Sequence, residues 1–473
     1  MTPDATSALH VHGEASATGG AEPAAGVAWE RHRQVHAIGR LFVVLTCATV
    51  WIPWSIQIGG LNLRLSQIAL PFVILVLWQD RPRLVIRRST VPVAACAILY
   101  VGSLAFWTAL NPSIAELQPF GRVGLHALNL MHMVVAYMLV VRTKSLLPFL
   151  RTFVTSVAVF DLGFVVLAVG VAAGVLPSFG IIEESLQPVF DQVAGVAAET
   201  VRRIESGGIT AGCLSAGALG ALLALRTRTR PPGTLYTAVV GMALGAGLVV
   251  GFSRQAVLSL AAAVLVVVFG VGLAGRVKPL LRLTGWLALL AAGSLVIVLV
   301  VPGLRQYLDA FAGRALLLFS ERAYSAGTVS DRISMWGLML REVAQNPFVG
   351  HGQDTYMRYY PADFGGGSHN FFIEVLHAGG AVALVALLGL HLAALARGWR
   401  AVSRSRRRRD QRALVLAVAA SVAAVVFAAM TNLIYWNPSY WILLGWLLAV
   451  RVPTEPRGGR DGRASPPALQ PAG

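Results

Sequence analysis

Long apolar runs separated by shorter polar connections form the main pattern along the chain. A helix that crosses a bilayer needs about 20 mainly apolar residues, and most of these runs approach or reach that length without a charge at their centre. The second run is the exception, because Arg64 and Pro71 interrupt it. The pattern therefore predicts an all-α membrane protein with about 12 transmembrane helices. The predicted segments lie near residues 38–58, 62–79, 91–110, 121–141, 149–175, 207–225, 234–251, 255–275, 284–302, 369–396, 413–432 and 434–451.

Composition excludes the other broad classes. Of the 473 residues, 56% are hydrophobic and 13% are charged, and the mean hydropathy is +0.66. A soluble domain carries roughly 25% charged residues, so a water-soluble fold is excluded. The three cysteines lie in apolar runs and fit no disulfide framework or metal site. The sequence also shows no G-K-[ST] loop, and His126 and His132 are six positions apart and so do not share a helical face. We therefore expect no metal and no cofactor.

Basic residues occupy alternate connections between the apolar segments. Residues 81–88 hold four arginines, and residues 397–412 hold eight. Cytoplasmic loops of membrane proteins are enriched in Lys and Arg, so this alternation predicts that both termini are cytoplasmic. It also accounts for the net charge of +17, so no nucleic-acid partner is expected, and membrane lipid is the expected partner of the basic loops.

The same assignment defines the domains. Residues 1–36 and 453–473 are rich in small residues and are predicted to be disordered cytoplasmic tails. Residues 37–452 form the polytopic membrane domain.

Two outer connections are long, namely 176–206 and 303–368. Connections of this length are usually functional or contain helices of their own. In the second connection, SDRISMWGLMLREVAQN predicts a short helix at the outer membrane surface. Ser330 is the expected N-cap of this helix, and Trp336, Leu340 and Val343 form its expected apolar face.

Several groups with chemical potential fall at the predicted outer boundary. Arg202 and Arg203 precede the sixth apolar segment, and Arg254 sits in a very short turn between two others. Guanidinium groups bind phosphate in a bidentate geometry, so converging arginines would form a pyrophosphate site. Arg254 has almost no loop in which to reach water, so we expect it to point into a polar cavity.

The remaining groups lie in or just after the long outer loop. Arg332 and Trp336 occupy the predicted helix, while His369 and Asn370 begin the tenth segment with Glu374 one turn deeper. An imidazole with an ordinary pKa of about 6.5 suits general-base chemistry near neutrality. The helix N-terminus beside it favours anions.

Each of these residues also has an ordinary structural interpretation. An outer arginine can be solvated, Trp336 can anchor the helix at the membrane interface, and Asn370 and Glu374 can simply begin a helix. Asp161 is an intramembrane acid, and hence a functional candidate, without an obvious partner in the sequence. The placement of the whole group on one face of the membrane is what indicates a functional site.

The ordered motifs resemble a known family. R-x-x-x-G-G, S-R between two spans, D-R-x-x-x-W with N-P-x-x-G-x-G, and H-N-x-x-x-E are similar to those of the O-antigen ligase and polymerase superfamily of bacterial membrane glycosyltransferases. The resemblance covers about residues 200–385. It implies a location in the bacterial inner (plasma) membrane, an extracytoplasmic active site, an undecaprenyl-pyrophosphate-linked glycan donor and a glycan or glycolipid acceptor. Other polysaccharide-assembly proteins are further expected partners.

The resemblance also implies residue roles and a metal-independent, inverting transfer. His369 corresponds to the base on the acceptor hydroxyl, and Arg254 and Arg332 correspond to essential arginines that clamp the pyrophosphate. Arg203, Arg202, Trp336, Asn370 and Glu374 are expected at the substrate.

The chain departs from the family pattern in two places. The region after the tenth segment offers Asn432 and Asn437 where some members carry an acid, and the Arg203 region lacks a Pro-Asn pair. These departures leave the acceptor open, so that both a ligase and a polymerase remain possible. A polytopic transporter or flippase for lipid-linked oligosaccharide is the alternative, and a non-catalytic scaffold is a further one.

Overall fold

In the computed structural model the chain forms a bundle of helices with two short β-hairpins. The structure describes residues 22–52, 55–58, 61–79, 90–111, 119–172, 175–176, 182–185, 201–204, 208–250, 254–272, 277–300, 328–353, 355, 369–405, 408–430 and 437–450. Over these residues the helices are α1 (Glu22–Trp51), α2 (Leu65–Gln79), α3 (Val91–Leu110), α4 (Pro119–Thr143), α5 (Leu147–Ala172), α6 (Gly208–Leu225), α7 (Thr234–Val250), α8 (Arg254–Gly272), α9 (Val277–Val300), α10 (Thr328–Gln345), α11 (Phe371–Arg404), α12 (Arg409–Ala429) and α13 (Pro438–Ala449). The strands are β1 (Ser55–Ile58), β2 (Leu61–Arg64), β3 (Ile182–Ser185) and β4 (Val201–Ile204).

The described helices confirm an α-helical membrane protein. Seven of them are long and apolar enough to cross a bilayer, in α1, α3, α4, α5, α8, α11 and α12. Shorter apolar helices occur in α2, α6, α7, α9 and α13. Together these helices coincide with the twelve predicted segments, whereas the count of twelve crossings remains a prediction.

The N-terminal region differs from the prediction in two ways. Helix α1 begins at Glu22, so part of the segment predicted as a tail is helical, in keeping with the high helix propensity of its Ala, Glu and Arg residues. The first predicted span also runs too far. Its last residues form β1, which pairs antiparallel with β2 so that Ser55 lies opposite Arg64. Arg64 donates to the Thr49 carbonyl at 3.0 Å, which explains how an arginine fits at the start of an apolar segment.

Small residues bring the central helices close together. Helix α12 packs against α6 and α8. A side chain added at Gly220 would press on Ala263 and Ala420, and the Ser421 hydroxyl donates to the Gly217 carbonyl at 2.9 Å. Inside a bilayer, close packing and hydrogen bonds of this kind drive helix association, because lipid tails are as apolar as the side chains.

The bundle has two distinct ends. At one end the turn after α6 contacts the start of α12, where the Thr229 amide donates to Asp410 Oδ1 at 2.6 Å and Arg409 Nε donates to the Thr227 carbonyl at 2.5 Å. Both connections belong to the set predicted as cytoplasmic, and their contact agrees with their assignment to a single side. At the other end Asn111, just after α3, donates to the Gly350 carbonyl at 3.3 Å.

Helix α10 confirms that the 303–368 connection contains a helix, but its details differ from the prediction. It begins at Thr328, so Ser330 lies inside the helix and is not its N-cap. Its buried face consists of Met335, Met339 and Val343, whereas Leu340 is 44% exposed. The sequence offers two overlapping apolar stripes, and docking of the methionines onto Ile373 of α11 selects between them.

Helix α11 is interrupted at Gly380. This residue has φ of 70° and ψ of −177°, a combination that is essentially restricted to glycine. An interruption in a helix frees backbone groups that must find other partners when water is absent.

The segment after α10 supplies those partners. The amides of His351 and Gly352 donate to the carbonyls of His377 and Ala378, both at 2.9 Å. The Ser103 hydroxyl of α3 donates to the Gly379 carbonyl at 2.8 Å. Below the break, the Ala381 amide donates to the Pro347 carbonyl at 2.8 Å. We call residues 346–353 the insertion loop, since its backbone fills the break in α11.

Two glycines of the insertion loop and the break permit this close approach. A Cβ at Gly350 would lie 2.5 Å from the Ala378 carbonyl oxygen, and one at Gly380 would lie 2.7 Å from the Phe348 carbonyl oxygen. Gly350 of N-P-x-x-G and Gly380, the last glycine of H-A-G-G, therefore both allow the insertion loop to approach the backbone of α11 closely.

Replacement of Gly380 by alanine should destabilise the protein. The substitution forces a Cβ into a glycine-only backbone conformation and against Phe348, at an expected cost of about 1–3 kcal/mol. The measurement is thermal unfolding of the full chain in detergent, with Gly102→Ala as the matched control, because a Cβ at Gly102 meets nothing within 4 Å. Equal melting temperatures for the two variants would contradict the proposed role of the break.

Candidate functional site

The N-terminal end of α11 carries the predicted H-N pair. Asn370 is the N-cap of the helix, where its side-chain oxygen accepts hydrogen bonds from the amides of Phe372 and Ile373, both at 3.1 Å. His369 directly precedes this cap and is half-buried. The cap thus fixes the backbone from which His369 projects.

His369 has an unusual backbone conformation. Its φ is +52°, in the left-handed region that non-glycine residues occupy rarely, although histidine is enriched there among them. Such conformations cost of order 1–3 kcal/mol and cluster at functional sites. This strain is an observation independent of sequence motifs, and it falls on the residue that the sequence analysis assigned as the base.

Glu374 connects α11 to the insertion loop. It is buried, and its carboxylate accepts a hydrogen bond from the Gln353 side chain at 2.8 Å. The backbone amide of Gln353 in turn donates to the Thr108 hydroxyl of α3 at 3.1 Å. A buried carboxylate is costly without such partners, so Glu374 acts here as a positioning residue that holds three segments together.

A layer of buried aromatic and polar rings lies against the first turn of α11. The Phe371 ring stacks on the His126 ring with centroids 6.2 Å apart and planes inclined by 10°. Nδ1 of His126 shares a hydrogen bond of 2.8 Å with the Tyr100 hydroxyl. Arg122 precedes His126 by one turn of α4 and is half-buried at the same end. The sequence analysis did not single out Arg122, because one arginine at a helix start carries no motif.

Helix α10 brings Arg332 toward this end. Met335 and Met339 pack with Ile373, and Glu342 contacts His377, so α10 and the first part of α11 advance in the same direction. Arg332 lies three positions before Met335, on the same side of α10, and is half-buried. Extending this register by one turn leads from Ile373 toward His369. Trp336 is also half-buried on α10.

The other predicted arginines are described only at the backbone. Arg254 is the first residue of α8, and three residues separate it from the end of α7. This short separation agrees with the very short turn that the sequence predicted. Arg202 and Arg203 lie in β4, opposite Glu184 and Glu183 of β3. The sequence analysis did not predict this hairpin, since most of 176–206 lacks regular alternation. The side chains of these three arginines lie outside the described residues.

Asp161 belongs to a separate buried cluster. The Ser215 hydroxyl donates to its Oδ2 at 2.7 Å, and Gly247 leaves the space that the carboxylate occupies. The partner that the sequence analysis could not identify is therefore a serine 54 residues away. Their separation along the chain does not predict this contact, because Asp161 and Ser215 meet only when α5 packs on α6 and α7.

One group of side chains has the composition of a metal site. Glu342, His351 and His377 each offer one ligand atom, and these atoms lie within 4.8 Å of one another. The sequence analysis found no metal cluster, since the three residues come from a helix, a loop and a second helix.

Part of the chain matches a known protein family. Residues 238–388 match the family described as O-antigen ligase. The matched segment contains Arg254, Arg332, Trp336, His369 and the insertion loop, whereas Arg202 and Arg203 precede it. Among curated proteins none matches the chain. This match over residues 238–388 supports the resemblance to the O-antigen ligase and polymerase superfamily that the ordered motifs indicated.

Proposed function

We propose that this protein transfers or polymerises an undecaprenyl-pyrophosphate-linked glycan on the extracytoplasmic face of the bacterial plasma membrane. The match of residues 238–388 to the O-antigen ligase family supports a membrane glycosyltransferase of cell-surface polysaccharide biosynthesis. The observation that carries the finer proposal is the strained His369, held by the Asn370 cap at the N-terminal end of α11. The register of α10 on α11, extended by one turn beyond the contact of Met335 with Ile373, leads Arg332 toward it.

The arginines would bind the donor. Arg254 and Arg332 are the proposed clamps on the pyrophosphate, with Arg203 and Arg202 as further contacts and Trp336 against the sugar or lipid. As the bond to the pyrophosphate breaks, negative charge develops on the leaving oxygen. Fixed guanidinium groups stabilise this charge without a metal, and their value rises where water is excluded.

His369 would activate the acceptor. A ring nitrogen takes the proton of the acceptor hydroxyl while the hydroxyl oxygen attacks the anomeric carbon. The new glycosidic bond forms as the bond to pyrophosphate breaks, so the configuration at the anomeric carbon inverts. Asn370 and Glu374 would keep His369 in place through the cap and the bond to Gln353. The acceptor is either another molecule, for a ligase, or a second lipid-linked repeat, for a polymerase.

A flippase is the second candidate, because transporters bind substrates at broken helices and α11 is broken at Gly380. Here the insertion loop provides hydrogen bonds to the carbonyls at the break. This arrangement favours a fixed scaffold over a substrate pathway through the break.

Loss of the proposed catalytic groups should stop transfer without unfolding the protein. Alanine at Arg254 or Arg332 and asparagine at His369 should each abolish surface polymer or conjugate, while lipid-linked donor accumulates on the outer leaflet. Asparagine tolerates the left-handed backbone, so His369→Asn should keep the thermal stability of the parent. The measurements are glycan profiling, leaflet assignment of the donor, and melting temperature.

The matched controls are His32→Asn and Arg400→Ala, since both side chains are exposed and lie outside the proposed site. Normal glycan in the three site variants would contradict the proposal. Donor trapped on the inner leaflet would instead favour the flippase.

The cap should be needed for the activity of His369. Asn370→Ala removes the acceptor for two amides, at an expected cost of about 0.5–2 kcal/mol, and should reduce transfer. Asn370→Ser retains a capping oxygen and should preserve most activity and stability. The measurements are thermal unfolding and glycan transfer of the two variants. Equal stability and equal activity of Asn370→Ala and Asn370→Ser would contradict the role of the cap.

The two ends of the bundle should be accessible from opposite sides of the membrane. In a variant in which Cys47, Cys96 and Cys213 are replaced, Gln345→Cys should react with an impermeant thiol reagent on intact cells. Arg400→Cys should react only after permeabilisation. Both positions are exposed, so burial does not confound the comparison. Labelling of Gln345→Cys only from the cytoplasm would refute an extracytoplasmic site.

A further inference from the structure

The cluster of Glu342, His351 and His377 joins three segments of the chain. Glu342 comes from α10, His351 from the insertion loop and His377 from α11 above the break at Gly380. A shared ligand here would therefore fix the long outer connection to the helix that begins with His369.

The geometry of the three side chains is close to that of a metal site. His377 Nε2 lies 2.6 Å from Glu342 Oε2, and the rings of His351 and His377 have centroids 4.6 Å apart. All three ligand atoms fall within 4.8 Å of one another. Two ligands of one tetrahedral ion with bonds of about 2.0–2.2 Å lie roughly 3.4 Å apart. Metal binding therefore requires the hydrogen-bonded pair of His377 and Glu342 to separate slightly and any pair near the 4.8 Å limit to approach.

Burial and access also suit a bound cation. The His377 side chain is 1% exposed, whereas that of Glu342 is 30% exposed, which leaves a path from solvent. Nε2 of His351 is buried and has no hydrogen-bond partner among the described residues. Backbone contact holds the two histidines together independently of their rings, because the His351 amide donates to the His377 carbonyl.

We propose that Glu342, His351 and His377 bind a zinc ion that fastens α10 and the insertion loop to α11. Two imidazoles and one carboxylate form a ligand set that zinc accepts, with water as a fourth ligand. Mg²⁺ and Ca²⁺ prefer oxygen ligands and should bind poorly. Binding displaces the proton shared by His377 and Glu342, since a metal ligand must be deprotonated.

This role goes beyond the transfer reaction. His377 lies eight positions after His369, about 12 Å along a helix at 1.5 Å per residue. The zinc would thus stabilise the register between Arg332 and His369, and it would take no part in breaking the glycosidic bond.

The test is zinc binding by the full chain, purified in detergent and stripped with a chelator. Competition against a chromophoric zinc chelator should give one tight site, Zn²⁺ should raise the melting temperature, and Mg²⁺ should do neither. Glu342→Gln and His377→Asn should weaken binding by more than the roughly 10- to 100-fold typical of second-shell changes. Co²⁺ should give the visible absorption of a nitrogen- and oxygen-ligated site in the parent protein and in neither of these two variants.

His32→Asn is the matched control, because His32 and His36 form the other close histidine pair in the described residues, with centroids 4.7 Å apart. This variant should retain the tight site. Failure of the stripped parent protein to bind zinc stoichiometrically would overturn the proposal. So would parental affinity in both Glu342→Gln and His377→Asn, or loss of the site in His32→Asn. Glu342→Gln preserves a polar contact to His377, so the test does not depend on whether His377→Asn folds.

Discussion

The break in α11 is the constraint on which the rest of the structure depends. A polypeptide in a bilayer must pair its backbone groups internally, yet Gly380 interrupts the helix and frees three carbonyls. The amides of His351 and Gly352 and the hydroxyl of Ser103 satisfy those carbonyls. The break in α11 therefore requires the insertion loop as a source of hydrogen-bond donors. The same hydrogen bonds fix the position of the loop.

Once the insertion loop is fixed, the candidate site is assembled around it. Gln353, at the end of the loop, bonds to buried Glu374 and to Thr108, which ties the loop to the first turn of α11 and to α3. Helix α10 precedes the loop directly and docks its methionines on Ile373. Arg332 and His369 are thus carried by elements whose relative position is set by buried polar contacts, as a preorganised site requires.

The two chemical proposals occupy different depths of the same region. The proposed transfer site lies at the N-terminal end of α11, where His369 has a left-handed backbone and Asn370 caps the helix. The zinc site lies two turns further along, where α10, the insertion loop and α11 meet. Strain at His369 has to be maintained by its surroundings, and a metal that holds α10 against α11 would contribute to this without entering the reaction.

Much of the fold and part of the site were determined by the sequence itself. Runs of apolar residues are sufficient to predict helices in a membrane. Within the bilayer, a single chain segment can pair its backbone N–H and C=O groups internally only as a helix. The approximate positions of the twelve apolar segments followed from local pattern, although the first was predicted too long, and His369 and Asn370 were correctly placed at the start of the tenth. The H-N pair, the insertion-loop glycines and the arginines were visible as ordered motifs, and the family match supports the resemblance drawn from them, while the roles of the individual residues remain predictions.

The tertiary structure alone decided the contacts between residues that are far apart in the chain. The stripe of α10 that is buried, the partner of Asp161, the bond between Gln353 and Glu374, and the cluster around His377 all depend on packing between separate segments. Local pattern assigns residues to helices and to faces, but it contains no information on which faces meet. In a chain whose helices are apolar on most sides, that choice is made by close fit and by the few buried polar groups that must be paired.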